Sequence, residues 1–236
     1  MTTINPRETL DRAIQEVLDD VLQLGSMVED AIRESVESLK QRDMEASHRV
    51  YFADQDINAK HFEIEDKCIV LIATQQPMAK DLRLLAAVLE IVTELERIGD
   101  YAKGIARINI LMGDEPLVKP LIDIPRMADL GIDMLYRALS AFVSGDAESA
   151  RNIPQEDEIV DSLYNQVYRE LVTYMIDDTS TIDRANYLLW AAHNLERVAD
   201  RVTNICERTI YMVTGEMREL DHIDDELAKL ERKYRD

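Results

Sequence analysis

One hexapeptide occurs twice in this chain. Leu95-Glu96-Arg97-Ile98-Gly99-Asp100 returns as Leu195-Glu196-Arg197-Val198-Ala199-Asp200, an offset of 100 residues. A repeat at that distance means two copies of one supersecondary unit, so whatever the first half folds into, the second half must fold into as well. Both copies contain Glu-x-x-x-Asp. At i and i+4 on a helix the two carboxylates share a face, and like charges there cost an isolated helix roughly 0.2 to 0.5 kcal/mol. A cationic partner is therefore expected twice.

The repeating unit reads as helical. Seven glycines and six prolines in 236 residues leave room for long uninterrupted helices, and no segment alternates with the period of two that a strand requires. Pro6 suits the first turn of a helix whose apolar positions run through Ile14, Val21, Met27, Ala31 and Leu39. Asp43 can cap a second helix, which carries Val50, Ile57, Ile64 and Leu71 inward until Gln75-Gln76-Pro77 breaks it. The third starts near Met78 and places the first motif beside a core stripe of Ile91, Leu95, Ile98, Ala102 and Ile105. Met112-Gly113-Asp114-Glu115-Pro116 stops it, and Pro116, Pro120 and Pro125 mark a linker.

Beyond Pro125 the plan starts again. Asp43 matches Asp146, Val50 matches Ile153, Asp54 matches Asp157 and Asn58 matches Asp161, all at an offset of 103, so three residues are missing between the second and third helices of the second copy. Helices are expected near 126–144, 148–177 and 181–214, with a kink or late start at Pro154. The expectation is an all-α protein of six long helices in two tandem three-helix bundles, 1–118 and 119–216, followed by a C-terminal tail, 217–236, whose alternating acids and bases read as a short exposed helix. Trp190, beside Leu188 and Leu189, is expected in the core.

Charge and cysteine usage bound the function. A net charge of −20 argues against a nucleic-acid binder, whose affinity comes mainly from clustered Lys and Arg, and fits a soluble surface. Cys68 and Cys206 have no CxxC spacing, which points to a reducing, cytoplasmic setting. The N-terminus lacks the basic start and apolar core of a secretory signal. The apolar runs 68–73 and 84–89 fall far short of the roughly 20 residues of a spanning helix.

The site-like residues emerge when positions are counted at about 100° per residue. Glu96 and Asp100 lie on the shoulder of the core stripe, while Asp54, Asn58, His61 and Glu65 share one face of the second helix. Their equivalents in the second copy are Asp157, Asp161, Tyr164 and Tyr168. Two such shoulders facing each other gather Asp54, Asn58, Glu96 and Asp100 in one group, and Asp157, Asp161, Glu196 and Asp200 in another. Carboxylates so gathered need compensation to stay ionised. Three readings are open: ion pairing with Arg97, Arg197 and Lys103, simple exposure to water, or an oxygen-rich metal site inside a helical bundle. His193, three residues before Glu196, could add a nitrogen ligand or serve as a structural side chain; His61 is a similar case, and the counterpart of His193 is Thr93.

These residues resemble a known family. Leu95 to Asp100 as LERIGD, His193 to Asp200 as HNLERVAD, Thr203-Asn204-Ile205, Val213-Thr214-Gly215-Glu216 and the turn sequence Gln76 to Arg83 are similar to the PhoU family, accessory and regulatory proteins of bacterial phosphate-specific transport. The resemblance covers about residues 1–216. It implies two three-helix repeats and multinuclear metal sites, with Asp54, Glu96 and Asp100 as ligands in the first and Asp157, Asp161, Glu196 and Asp200 in the second. Asn58 departs from the acidic pattern, and Gly104 stands where the second copy has Asn204. The resemblance further implies negative regulation rather than catalysis, with a phosphate transporter ATPase and a membrane sensor histidine kinase as partners. Membrane contact would come only through those partners, and a homodimer is left open.

Two other readings remain. A ferritin-like di-metal enzyme also sets carboxylates inside a bundle but uses Glu-x-x-His on two helices, whereas the chain offers only the reversed His193-x-x-Glu196. A metal-free helical adaptor needs only amphipathic surfaces. If metal binds, oxygen ligands suit Mg, Ca, Mn or Fe(III), and an imidazole admits Fe(II) or Zn.

Overall fold

A computed structural model gives the architecture and describes residues 6–217 and Leu220. These residues are helical apart from short turns and the linker at 113–122, with no strand among them. The first unit is α1 (Pro6–Gln41), α2 (Met44–Gln75) and α3 (Ala79–Met112). The second is α4 (Asp123–Ser144), an interrupted helix made of α5 (Ala147–Asn152) and α6 (Asp157–Asp177), and α7 (Ile182–Thr214). Single 3₁₀ turns fill Ile153–Glu156 and Thr179–Thr181.

Local chemistry explains these boundaries. Asp43 accepts a hydrogen bond from the Ala46 amide at 2.9 Å and Asp146 accepts from the amides of Glu148 and Ser149, so the same cap opens the middle helix of both units. Pro154, lacking an N–H and clashing with the preceding turn, produces the expected interruption as a 3₁₀ turn. One boundary differs from expectation: α4 begins at Asp123, because Pro125 falls in its first turn, where no intrahelical amide is required. The Gly145 backbone is left-handed (φ 68°) and closes α4, as glycine does at a helix C-terminus.

The core runs along α1 as Ile14, Val21, Leu24, Val28, Ile32 and Leu39; Met27 and Ala31 sit at its half-buried edge rather than in it. On α3 the stripe from Ile91 to Ile105 is fully buried as expected. Trp190 corrects the core expectation, since it is 52% exposed and meets Tyr187 edge-on at 5.9 Å, while Leu188 alone of that trio is fully buried. The helical frame fixes that outcome: the inward face of α7 is set by Leu188, Ala191, Ala192 and Leu195, which leaves position 190 outside. Both cysteine thiols are buried and pushed up to about 12 by that burial, which keeps them from acting as nucleophiles. The tail helix expected over 217–236 falls outside the described residues except for Met217 and Leu220.

The units meet where α3 packs on α7 and α1 on α4. Along the α3–α7 contact, Asn204 reaches Glu94 and Asn194 reaches Gly104. Glu94 and Asn194 are equivalents at the repeat offset, and so are Gly104 and Asn204. The two contacts thus exchange under that offset, as a pseudo-twofold relation between antiparallel helices requires.

Within each unit the motif helix lies close to its neighbour. A Cβ added at Gly99 would stand 3.1 Å from Cγ2 and 3.2 Å from Cδ1 of Ile57 on α2. The second unit has Val160 and Ala199 at these positions, both fully buried, so one carbon has moved from one helix to the other at constant volume. Gly99→Ala alone should overpack the site, at a cost of about 1–3 kcal/mol that offsets the roughly 1 kcal/mol gained on removing a helical glycine. Combined with Ile57→Val it should restore or exceed parental stability. Urea denaturation of all four proteins checks this, and purely additive effects would show that the two positions do not share space.

Candidate functional site

Each unit sets the shoulder of its middle helix against the shoulder of its motif helix. In the first, α2 supplies Asp54, Asn58 and His61, and α3 supplies Glu96, Asp100 and Lys103. Asp54 is only 4% exposed. The Lys103 ammonium donates to Asp54 Oδ2 at 2.6 Å and lies 3.8 Å from Asp100 Oδ1, while Asn58 Nδ2 donates to the same Asp54 oxygen at 3.1 Å. Lys103 also stands 5.6 Å from the Tyr51 ring centre. Glu96 is half-buried, and its carboxyl is pushed up by burial first and by Asp100 next; His61 pulls it down, Asp54 adds to the rise and Arg97 opposes it.

In the second unit α6 supplies Asp157, Asp161 and Tyr164, and α7 supplies His193, Glu196 and Asp200. Asp157 opens α6 with one carboxylate oxygen buried. The Glu196 carboxyl is also pushed up, by burial first and by Asp200 next, with Asp161 contributing and His193 opposing. Nδ1 of His193 lies 3.0 Å from Glu196 Oε2, and its ring is 6.0 Å from that of Tyr164. Burial, with Glu196 adding to it, pushes the Tyr164 phenol up.

The structure therefore places Asp54, Glu96 and Asp100 within electrostatic reach of one another, and does the same for Asp161, Glu196 and Asp200. Among the described residues no three His, Cys, Asp or Glu side chains already converge on one point. The groups face each other across two helices rather than forming a closed cage. Of the three cations, Lys103 makes a direct ion pair with Asp54 across the first site. Arg97 turns to Glu94 at 2.5 Å, and Arg197 stacks over the Tyr101 ring at 4.7 Å.

Both repeated units match one family model, described as the PhoU domain, at residues 21–108 and 124–209. The chain belongs to the PhoU family. A phosphate-specific transport system accessory protein PhoU homolog from Aquifex aeolicus is 35% identical over 216 residues, covering 92% of this chain and 98% of that protein. The Escherichia coli phosphate-specific transport system accessory protein PhoU is 34% identical over 218 residues, 92% of this chain and 90% of its own length. The crystal structure of PhoU from Pseudomonas aeruginosa superposes with a TM-score of 0.82 at 34% identity, over 87% of this chain and 99% of that one. The fold expected from the repeat is thus the PhoU fold, and no helix among the described residues is long and apolar enough to cross a membrane.

Whether the residues present fit a metal of the kind the PhoU resemblance implies differs between the units. At the second site the donor set is carboxylate-rich with an imidazole beside it, Nδ1 of His193 lying 3.0 Å from Glu196 Oε2. That set fits a hard or borderline divalent cation, held by Asp161, Glu196 and Asp200 with His193 and Asp157 adjoining. At the first site the most buried carboxylate already has a cation, the Lys103 ammonium.

Two residues beside these PhoU motifs carry more weight than the sequence alone gave them. His61 stands within reach of Glu96, so each unit has one imidazole near its motif glutamate. The first unit takes it from α2 and the second, through His193, from α7. The signal was the exchange of His61 and Thr93 for Tyr164 and His193 across the repeat. Glu94 is the other. It is buried between Arg97, Arg201 (3.4 Å) and Asn204 (3.1 Å), and only the three-dimensional crossing of α3 with α7 explains its position.

Proposed function

We propose that this chain is an accessory protein of phosphate-specific transport that acts as a metal-binding helical adaptor. On this reading it links the transporter ATPase to a sensor histidine kinase and holds the kinase off when phosphate is plentiful. The carrying observation is the pair of Glu-x-x-x-Asp motifs, each on the third helix of a PhoU unit and each faced by acids from the preceding helix. The printed names of the relatives support the transport assignment, and the carboxylate-rich donor set of the second unit supports the metal.

The adaptor reading has a physical basis in the fold. Long helices whose inward shoulders carry like charges are held in a given spacing by whatever cation lies between them, so a bound ion fixes the relative position of α6 and α7 and of the outer surfaces they present. Deleting the gene should raise transcription of phosphate-starvation genes in phosphate-rich medium, measured with a reporter while the transporter is intact. Unchanged reporter output would remove the regulatory reading. Full binding of kinase and ATPase by chelated protein would leave the adaptor standing without its metal, and oxygen-dependent turnover at a coloured iron centre would favour a ferritin-like enzyme instead.

A further inference from the structure

The two sites differ most at a position outside both Glu-x-x-x-Asp motifs. Three residues after Asp100 the first unit has Lys103; three residues after Asp200 the second has Thr203. Thr203 is buried and its hydroxyl donates to its own helix, to the Ala199 carbonyl at 3.5 Å. Lys103 instead sends its ammonium across to α2, to the nearly inaccessible carboxylate of Asp54, with Asp100 at 3.8 Å and the Tyr51 ring alongside. Asn58 completes the arrangement by donating to the same Asp54 oxygen that accepts from Lys103. The matching residue in the second unit, Asp161, can only accept.

We propose that Lys103 closes the first site of this chain to metal: its ammonium occupies the place between α2 and α3 that a metal ion would take, so the first unit holds its helices together with an internal cation.

Three features of the geometry support this. A carboxylate oxygen that accepts from an ammonium at 2.6 Å and an amide at 3.1 Å has both in-plane lone-pair directions used. A divalent ion approaching that oxygen would have to displace Lys103, whose side chain would leave its partner behind in a buried setting. The donor count also falls, because the first site has three carboxylates against an ammonium while the second has four acids and no lysine, and ligand charge tunes affinity for hard cations. The acid not served by Lys103 is Glu96, which has His61 and Arg97 within electrostatic reach. The first site thus carries its compensation in side chains on both helices. The proposal extends the metal reading of the second site but does not depend on it.

The test uses the full chain, stripped with chelator and titrated with Mn(II) alone, the free ion being read by electron paramagnetic resonance. The double variant Glu196→Gln with Asp200→Asn, which keeps Lys103, should bind no Mn(II). Adding Lys103→Thr to that background, the residue found in the second unit, should create a site at least about tenfold tighter than anything the double variant shows. Its thermal midpoint should then rise with Mn(II), whereas Lys103→Arg, which keeps a cation, should behave like the parent. If Lys103→Thr folds only when Mn(II) is present, that rescue is itself the expected dependence. The proposal is overturned if the double variant with Lys103 intact still binds Mn(II) and loses it on Asp54→Asn. It is equally overturned if a folded Lys103→Thr protein gains no site. Should the parent bind no Mn(II) while Lys103→Thr gains a site, the lysine inference holds and the metal reading of the second unit fails.

Discussion

Replacing Glu94 by alanine should lower the unfolding free energy by about 3 kcal/mol or more, among the larger losses available in this fold from a single side chain. The expectation rests on what the residue neutralises. Glu94 is 8% exposed at the crossing of α3 and α7 and accepts from Asn204 Nδ2 at 3.1 Å, with Arg97 at 2.5 Å and Arg201 at 3.4 Å. Removing one member of a buried pair typically costs about 3–5 kcal/mol, because the remaining charge stays desolvated without a partner. Arg97 is half exposed and can turn to water, which places the expected loss at the lower end. Arg201 cannot escape so easily: its Nε is buried and makes no hydrogen bond among the described residues. Glu94→Gln keeps an acceptor for Asn204 but not the charge, so it should fall between alanine and parent. Urea denaturation at one ionic strength provides the comparison. A loss under about 1 kcal/mol for alanine would mean that the contact behaves as a surface ion pair.

The same residue shows why parts of this molecule were readable from sequence and others were not. Fold class, helix order and the caps at Asp43 and Asp146 follow from local periodicity and from a repeat that aligns the halves, and both kinds of information lie along the chain. The Pro154 interruption followed because proline acts on its own turn. Glu94 could not be found this way. Its partners Arg201 and Asn204 are more than 100 residues distant and on the other unit, and from sequence it is one more acid on a helix already rich in them. Trp190 failed for a different reason: hydrophobicity gave the right tendency, but a step of two residues along α7 separates the core position Leu188 from the exposed indole.

At the candidate sites, helical counting placed Glu96 with Asp100 and Glu196 with Asp200 on one helix face, because i and i+4 are fixed by the helix itself. Angles on one helix do not say which cation on a neighbouring helix arrives between the acids. Arg97 and Arg197 were as plausible as Lys103 by spacing, yet they leave for Glu94 and Tyr101. The guanidinium of each follows the α3–α7 interface, while Lys103, on the other side of α3, is aimed at α2.

The largest effect of solution conditions should come from neutralising the second site, where the sign of the stability change reverses with metal. In chelator, Glu196→Gln with Asp200→Asn should make the protein more stable than the parent. Burial and Asp200 both push the Glu196 carboxyl up, so its ionised form is a cost to the folded state that the neutral amide of nearly equal shape removes. Like charges at i and i+4 on α7 are lost in the same step. In a divalent metal the order should invert. An ion that binds only the folded state adds RT ln(1 + [L]/Kd), or about 2.7 kcal/mol at a hundredfold excess over Kd, and the double variant has lost two of the carboxylates that would hold it. The matched change in the first unit, Glu96→Gln with Asp100→Asn, should stabilise the chelated protein less, because Lys103 already faces Asp100 at 3.8 Å, and its effect should not change with metal. Thermal midpoints of the three proteins, with chelator and with Mn(II) at one pH, separate these outcomes, since ligand protonation competes with binding and must be held constant. If the second-site variant is destabilised to the same degree with and without metal, the carboxylates are structural ion-pair partners and the cation between α6 and α7 is not needed to explain them.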